Sequence, residues 1–123
     1  MTETKYNMET GLPLASFTRL NGLLQTTPDG KPSYVLFDEL GRPELMEWHD
    51  QGELHRDGAA AIVHFNPENN IHTLEVYYTH GVERDAHDGP FRVWRDGTTG
   101  KITKKEFSVE IGSRKSVNPP SPS

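Results

Sequence analysis

Apolar residues come along this chain in short runs, broken every few positions by Gly, Pro, Asn or Asp. Tyr34 to Phe37 reads as a strand, Asp38 to Pro43 turns the chain, and Glu44 to Trp48 returns it. Ala59 to Phe65 and Ile71 to Tyr78 make the clearest hairpin, joined by the polar loop Asn66-Pro67-Glu68-Asn69-Asn70. Phe91 to Arg95 is the next strand, closed by Asp96-Gly97-Thr98-Thr99-Gly100. From Thr103 to Ile111, the apolar Phe107, Val109 and Ile111 alternate with Glu106, Ser108 and Glu110, the pattern of a half-buried strand. One stretch has two readings. Leu14, Phe17, Leu20, Leu23 and Leu24 stand close to helical spacing, yet Asn21-Gly22 is a hairpin turn between Phe17–Leu20 and Leu23–Thr26. The hairpin is preferred. Thr27-Pro28-Asp29-Gly30-Lys31-Pro32 has loop chemistry.

These runs predict seven to nine antiparallel strands in sequence order. The fold class is all-β: an antiparallel meander of repeated hairpins in a twisted single-layer sheet. The expected division is a flexible N-terminus over residues 1–12, one β domain over 13–112, and a flexible Pro- and Ser-rich tail over 113–123. Such a meander has edges to protect, and Lys104 and Lys105 fall on the last predicted strand.

Between Trp48 and Trp94 one pattern is written twice, with a period of about 30 residues. An aromatic (Trp48, Tyr77) stands four residues before a glycine (Gly52, Gly81). An arginine (Arg56, Arg84) follows, then Asp-Gly (Asp57-Gly58, Asp88-Gly89), then Ala59 or Pro90 opens a short apolar strand. An aromatic on a pleated strand stacks on its neighbour in the next unit. Asp-Gly turns the chain, because Asp bonds nearby amides and Gly accepts positive φ.

The two copies resemble "Trp-x-x-x-Gly-x-x-His-Arg-x-Asp-Gly-Pro-Ala" units of the MORN-like β-hairpin repeat proteins of bacteria and phages. The first copy reads Trp48, Gly52, His55-Arg56, Asp57-Gly58, Ala59-Ala60, without the spacer before Asp and with Ala for Pro. The second reads Tyr77, Gly81, Glu83-Arg84, Asp88-Gly89-Pro90, with Glu for His and a longer spacer. The resemblance covers about 50 of the 123 residues. It implies single-layer hairpins and a binding or structural role, and it brings no catalytic residues.

Composition narrows the function. Hydrophobic residues make up 33%, which suits a turn-rich protein with a thin core. No apolar run is long enough to span a membrane and no signal-peptide segment is evident, so no membrane partner is expected. With no Cys, disulfides and thiolate zinc sites are excluded, and a cytoplasmic setting is expected. The net charge of -5 disfavours direct nucleic-acid binding and favours either a protein partner with a basic surface or ordinary solubility.

Candidate chemistry is sparse. His80, Asp85, His87 and Asp88 lie close together, with His55 and Asp57 at the matching place in the first copy. Imidazole and carboxylate suit a first-row metal, so a metal-dependent enzyme centred on His80, His87 and Asp88 is one alternative. The repeat itself demands Asp and Gly there, and the expectation is no metal, no cofactor and no catalytic residue. No Gly-x-Ser-x-Gly elbow occurs, Glu44, Glu47, Glu53 and Glu75 read as solvated strand carboxylates, and Gly97-x-x-Gly100 lacks the helix and Lys-Ser/Thr pair of a phosphate loop. Arg42, Arg56, Arg84, Arg92 and Arg95 with Trp48, Tyr77 and Trp94 have the composition of a single-strand-binding stripe, but neighbouring carboxylates are expected to pair with them. The preferred expectation is a non-enzymatic interaction module, of the kind that inhibits host defence or nucleic-acid-binding machinery, acting through Glu53, Glu83, Asp85 and Asp88. A structural homodimer or larger homo-oligomer joined at strand edges is the remaining alternative.

Overall fold

A computed structural model describes residues 1–108. Among these residues thirteen strands follow in order: β1 Thr2–Tyr6, β2 Pro13–Leu20, β3 Leu23–Leu24, β4 Tyr34–Phe37, β5 Pro43–Glu47, β6 His49–Asp50, β7 Glu53–Leu54, β8 Ile62–Asn66, β9 Ile71–Val76, β10 Tyr78–Thr79, β11 Val82–Glu83, β12 Arg92–Arg95 and β13 Ile102–Glu106. A 3-10 turn spans Ala86–Asp88. No helix among the described residues is long and apolar enough to cross a membrane. The main sheet runs β1-β2-β4-β5-β8-β9-β12-β13, with β3 folded back on β2. Every pairing in it is antiparallel, so the chain is an open meander in sequence order. The Asn21-Gly22 turn closes β2 on β3, which decides that stretch for the hairpin.

Two kinds of connection alternate along the sheet. On one side lie the hairpin loops that begin at Asn7, Asp38, Asn66 and Asp96. In each, the side-chain oxygen of that residue accepts an amide two residues on, from Glu9, Leu40, Glu68 and Thr98. The Asx geometry thus fixes four turns by one device. On the other side the chain leaves the sheet, makes a two-residue hairpin, and returns through a link. Three backbone bonds mark the exits: Thr18 N–H to Ser33 O, Trp48 N–H to Ala61 O, and Tyr77 N–H to Phe91 O, at 2.8, 2.8 and 2.7 Å.

Register divides the faces. Ser16, Val35, Met46, Val63, Glu75 and Val93 stand in one cross-strand row. Ala15, Leu36, Leu45, His64, Leu74 and Trp94 stand in a row on the opposite face. The first row leads into the core, where Trp48, Ala60 and Val63 are buried and Met46, Phe65 and Tyr77 pack against them. Ala60 and Ala61 are buried, at 4% and 0% exposure, and the strand expected from Ala59 begins only at Ile62.

Two expectations are corrected. Residues 1–12 are not a free end, because Thr2–Tyr6 pairs along β2 and the Met1 ammonium donates to the Arg19 carbonyl at 2.8 Å. The ladder is made by backbone groups and needs no apolar face, so hydrophobic patterning passes over it. At the other end Phe107 lies beyond β13 and is 50% exposed, not turned inward. Val109, Ile111 and the expected tail over 113–123 lie outside the described residues.

Candidate binding face built from the short hairpins

The three short hairpins β2–β3, β6–β7 and β10–β11 turn at Asn21-Gly22, Gln51-Gly52 and His80-Gly81. Their φ values are 53 and 84°, 49 and 86°, 46 and 81°. Positive φ at both central positions makes the tight turn whose twist matches the flanking strands. The hairpins are fastened to one another. Gly52 N–H donates to Leu24 O at 2.9 Å, and Gly81 N–H to Leu54 O at 2.8 Å. Leu23 lies over Gly52, and the Glu53 side chain lies over Gly81, each within 3.5 Å of where a Cβ would stand. The tips therefore form a row with fixed spacing instead of three independent loops.

Behind the tips, arginine covers the repeat aromatics. The Arg56 guanidinium lies 3.7 Å from the Trp48 ring centre, and Arg84 lies 3.9 Å from Tyr77. Arg56 Nη1 donates to Ala60 O, and Arg84 Nε donates to Pro90 O. Backbone geometry pairs Arg84 with His55, since His55 N–H binds Trp48 O as Arg84 N–H binds Tyr77 O. The two arginines thus reach the same place from positions one residue apart. Burial holds the Arg56 guanidinium below its usual pKa. Trp48 Nε1 donates to Gly30 O at 2.9 Å, fixing the ring between units. A groove of about 560 Å³ opens beside Trp48, His49 and Arg56, and a smaller one of about 170 Å³ beside Tyr77, Tyr78 and Arg84.

The remaining repeat residues hold the links. Gly58 and Gly89 take positive φ, and a Cβ on Gly89 would stand 2.7 Å from Arg84 Nη2. Asp57 Oδ1 meets His55 Nε2 at 3.1 Å. Asp85 accepts the His87 amide and caps the 3-10 turn that contains Asp88. Of the four candidate partner-binding acids, Glu53, Asp85 and Asp88 are exposed and Glu83 is half-buried. Glu53 and Glu83 lie on adjacent tips, at positions one residue apart relative to Gly52 and Gly81. Asp85 also has a structural task.

The histidines are not gathered as the metal alternative requires. His55 and His80 stack at 4.0 Å, with the His80 N–H donated to His55 Nδ1, while His87 turns to Asp85 at 2.8 Å. Among the described residues no group of three or more metal-type ligands converges. Carboxylates do pair with Arg19, Arg42, Arg92 and Arg95, through Glu3, Asp38, Glu106 and Glu75. Arg56 and Arg84 depart from that expectation, because the partners of each are a ring and a carbonyl.

One constellation has no sequence signal. Ser33 Oγ stands 2.7 Å from His49 Nδ1 and 3.1 Å from Glu47 O, and Glu47 Oε1 stands 3.6 Å from His49 Nε2. Serine, imidazole and carboxylate are the components of a hydrolytic site. Here Ser33 is 1% exposed, and its hydroxyl ties strand to link.

Burial lowers the pKa of His49 and of His64, and raises that of Glu47. An unfolded imidazole takes up its proton near pH 6.5 (about the reference value), whereas the folded ones do so only further down. Their contribution to stability is complete above about pH 6.5 and is lost as pH falls through the folded values. Glu47 has the opposite sign: it disfavours folding above about pH 4.3, the free carboxyl value, and relaxes on acidification. The melting temperature is therefore expected to fall between pH 7.5 and 5.5, and less so in His64→Gln. A flat profile from scanning calorimetry would contradict the burial of His49 and the partial burial of His64.

Comparison with family models, curated proteins and solved structures returns no match to this chain.

Proposed function

We propose that the protein is a non-catalytic binding module that docks its row of short hairpins on a basic surface of another protein. The observation that carries this reading is the combination of rigid tips with acid. Residues 1–90 hold fifteen Asp and Glu against six Lys and Arg. Glu53 and Glu83 stand on tips whose spacing is set by backbone bonds, and Asp88 stands in the link that follows the third tip. A carboxylate row of fixed spacing complements a cationic patch, steering encounter and setting register more than it adds affinity. The basic patches of nucleic-acid-binding proteins are surfaces of this chemistry, and occupying one would inhibit its owner. The resemblance to phage-type repeat units points the same way, towards an inhibitor of host defence or nucleic-acid-handling machinery.

Glu53→Lys, Glu83→Lys and Asp88→Lys together are expected to weaken capture of the partner from source-cell lysate at least about tenfold, and to reduce its salt dependence. The melting temperature should move little for Glu53→Lys and Asp88→Lys, because exposed charges contribute little to folding, and more for the half-buried Glu83→Lys. Asp85 is left in place, since losing that cap costs about 1 kcal/mol by itself. A partner whose affinity ignored both salt and the triple substitution would dismiss the reading.

A further inference from the structure

The acid of the chain ends where the last hairpin begins. Residues 91–108 hold five Lys and Arg against two Asp and Glu. Because the sheet follows chain order, this basic stretch is also one edge of the molecule. β13 pairs only with β12, so its outer backbone edge has no strand beside it among the described residues. Arg92 and Arg95 are bound to Glu106 and Glu75. Lys101, Lys104 and Lys105 are exposed and have no carboxylate within ion-pair distance among the described residues. Ile102 and Phe107 flank them, 46% and 50% exposed.

A second copy of the chain does not fit this edge. A strand continuing the meander would meet Glu106, Lys105 and Lys104 as Arg92, Val93 and Trp94 meet Val76, Glu75 and Leu74. In a second copy the corresponding strand is β1, whose Glu3 pairs with Phe17 as Arg92 pairs with Glu106. Glu3 would then oppose Glu106, and Lys5 would oppose Lys104. Like charges directly opposite destabilise a ladder. A two-fold pairing of β13 with itself about Lys104 sets lysine against lysine, and the homo-oligomer alternative is disfavoured in these two registers on the same ground.

We propose that the β13 edge accepts an extended acidic segment of another protein as an added antiparallel strand. Backbone groups supply the ladder and side-chain charge supplies the choice. Read in its own direction, the incoming strand needs a base opposite Glu106, then acids opposite Lys105 and Lys104. Apolar residues on either side rest against Phe107 and Ile102. Edge lysines also guard against aggregation. That task alone gives no preference between acidic guests, whereas strand addition does.

The probe is an end-blocked peptide, Thr-Val-Lys-Glu-Glu-Thr-Val, titrated into the full chain, with Thr-Val-Glu-Lys-Lys-Thr-Val as control. The acidic peptide is expected to bind at least about tenfold more tightly and to slow amide exchange at residues 102–106. In Lys104→Glu/Lys105→Glu, checked for folding by circular dichroism, the preference should reverse towards the control peptide. Equal binding of both peptides, binding without protection of those amides, an unreversed preference, or tighter binding of a dT oligonucleotide than of the acidic peptide would each overturn the proposal.

Discussion

Replacing Trp48 with alanine is expected to destabilise the protein by about 3 to 5 kcal/mol, the range for removing a large aromatic from a core. Trp48 is 6% exposed and packs with Ala60 and Val63. The substitution removes more than area. Its Nε1–H satisfies the Gly30 carbonyl of the preceding link, and its ring is the surface on which Arg56 lies. Without the ring, a guanidinium already short of water loses its main contact. A domain of this size has a total stability of about 5 to 15 kcal/mol, so the substitution removes a large share of it. Tyr77→Ala should cost less, because Tyr77 is only half-buried at the matching place. Urea titration of both variants checks the order. A Trp48→Ala protein that melts within a degree or two of the parent would mean that the ring is not the joint between units.

The parts of this fold that were legible are those made by local chemistry. Asp-Gly and Asn-Gly pairs mark turns because their backbone conformations are intrinsic to those residues. The meander follows once each turn is short, since short connections make sequential strands neighbours. The unit containing β2 and β3 was harder to recognise, because Thr18 stands where Trp48 and Tyr77 stand in the next two. Its Asn21-Gly22 turn and Asp29-Gly30 were visible, but without the aromatic the spacing carried no pattern. β1 carries no hydrophobic signal for a different reason: its residues bury almost nothing, and its place is set by backbone pairing.

The candidate site was legible in part. The alignment of Arg56 with Arg84 came from sequence, and both do cover the repeat aromatics. That they do so from offset backbone positions depends on side-chain length, which spacing does not report. The stacking of His55 on His80 and the tie between Ser33 and His49 join residues 25 and 16 positions apart. Such contacts are set by how one unit rests on the next, and no periodic signal carries them.

Removing Arg95 is expected to destabilise the fold by about 2 kcal/mol, and removing its partner as well should restore most of that loss. Glu75 is buried in the row between Val63 and Val93, which are themselves buried. One carboxylate oxygen meets His72 Nδ1 at 2.7 Å and the other meets Arg95 Nε at 3.2 Å. In Arg95→Met this carboxylate keeps the imidazole and loses its permanent cation, so part of a desolvated charge is uncompensated. The figure is set below the roughly 3 to 5 kcal/mol of a fully buried pair because the Arg95 side chain is partly exposed. Glu75→Val with Arg95→Met places a third valine between Val63 and Val93, where the parent holds a charge. Since well-packed apolar replacements of buried ion pairs are often neutral or better, the double variant should melt within a few degrees of the parent. Chemical denaturation of the two single variants and the double one closes the cycle. Strict additivity of the single effects would show that Glu75 and Arg95 are not energetically joined.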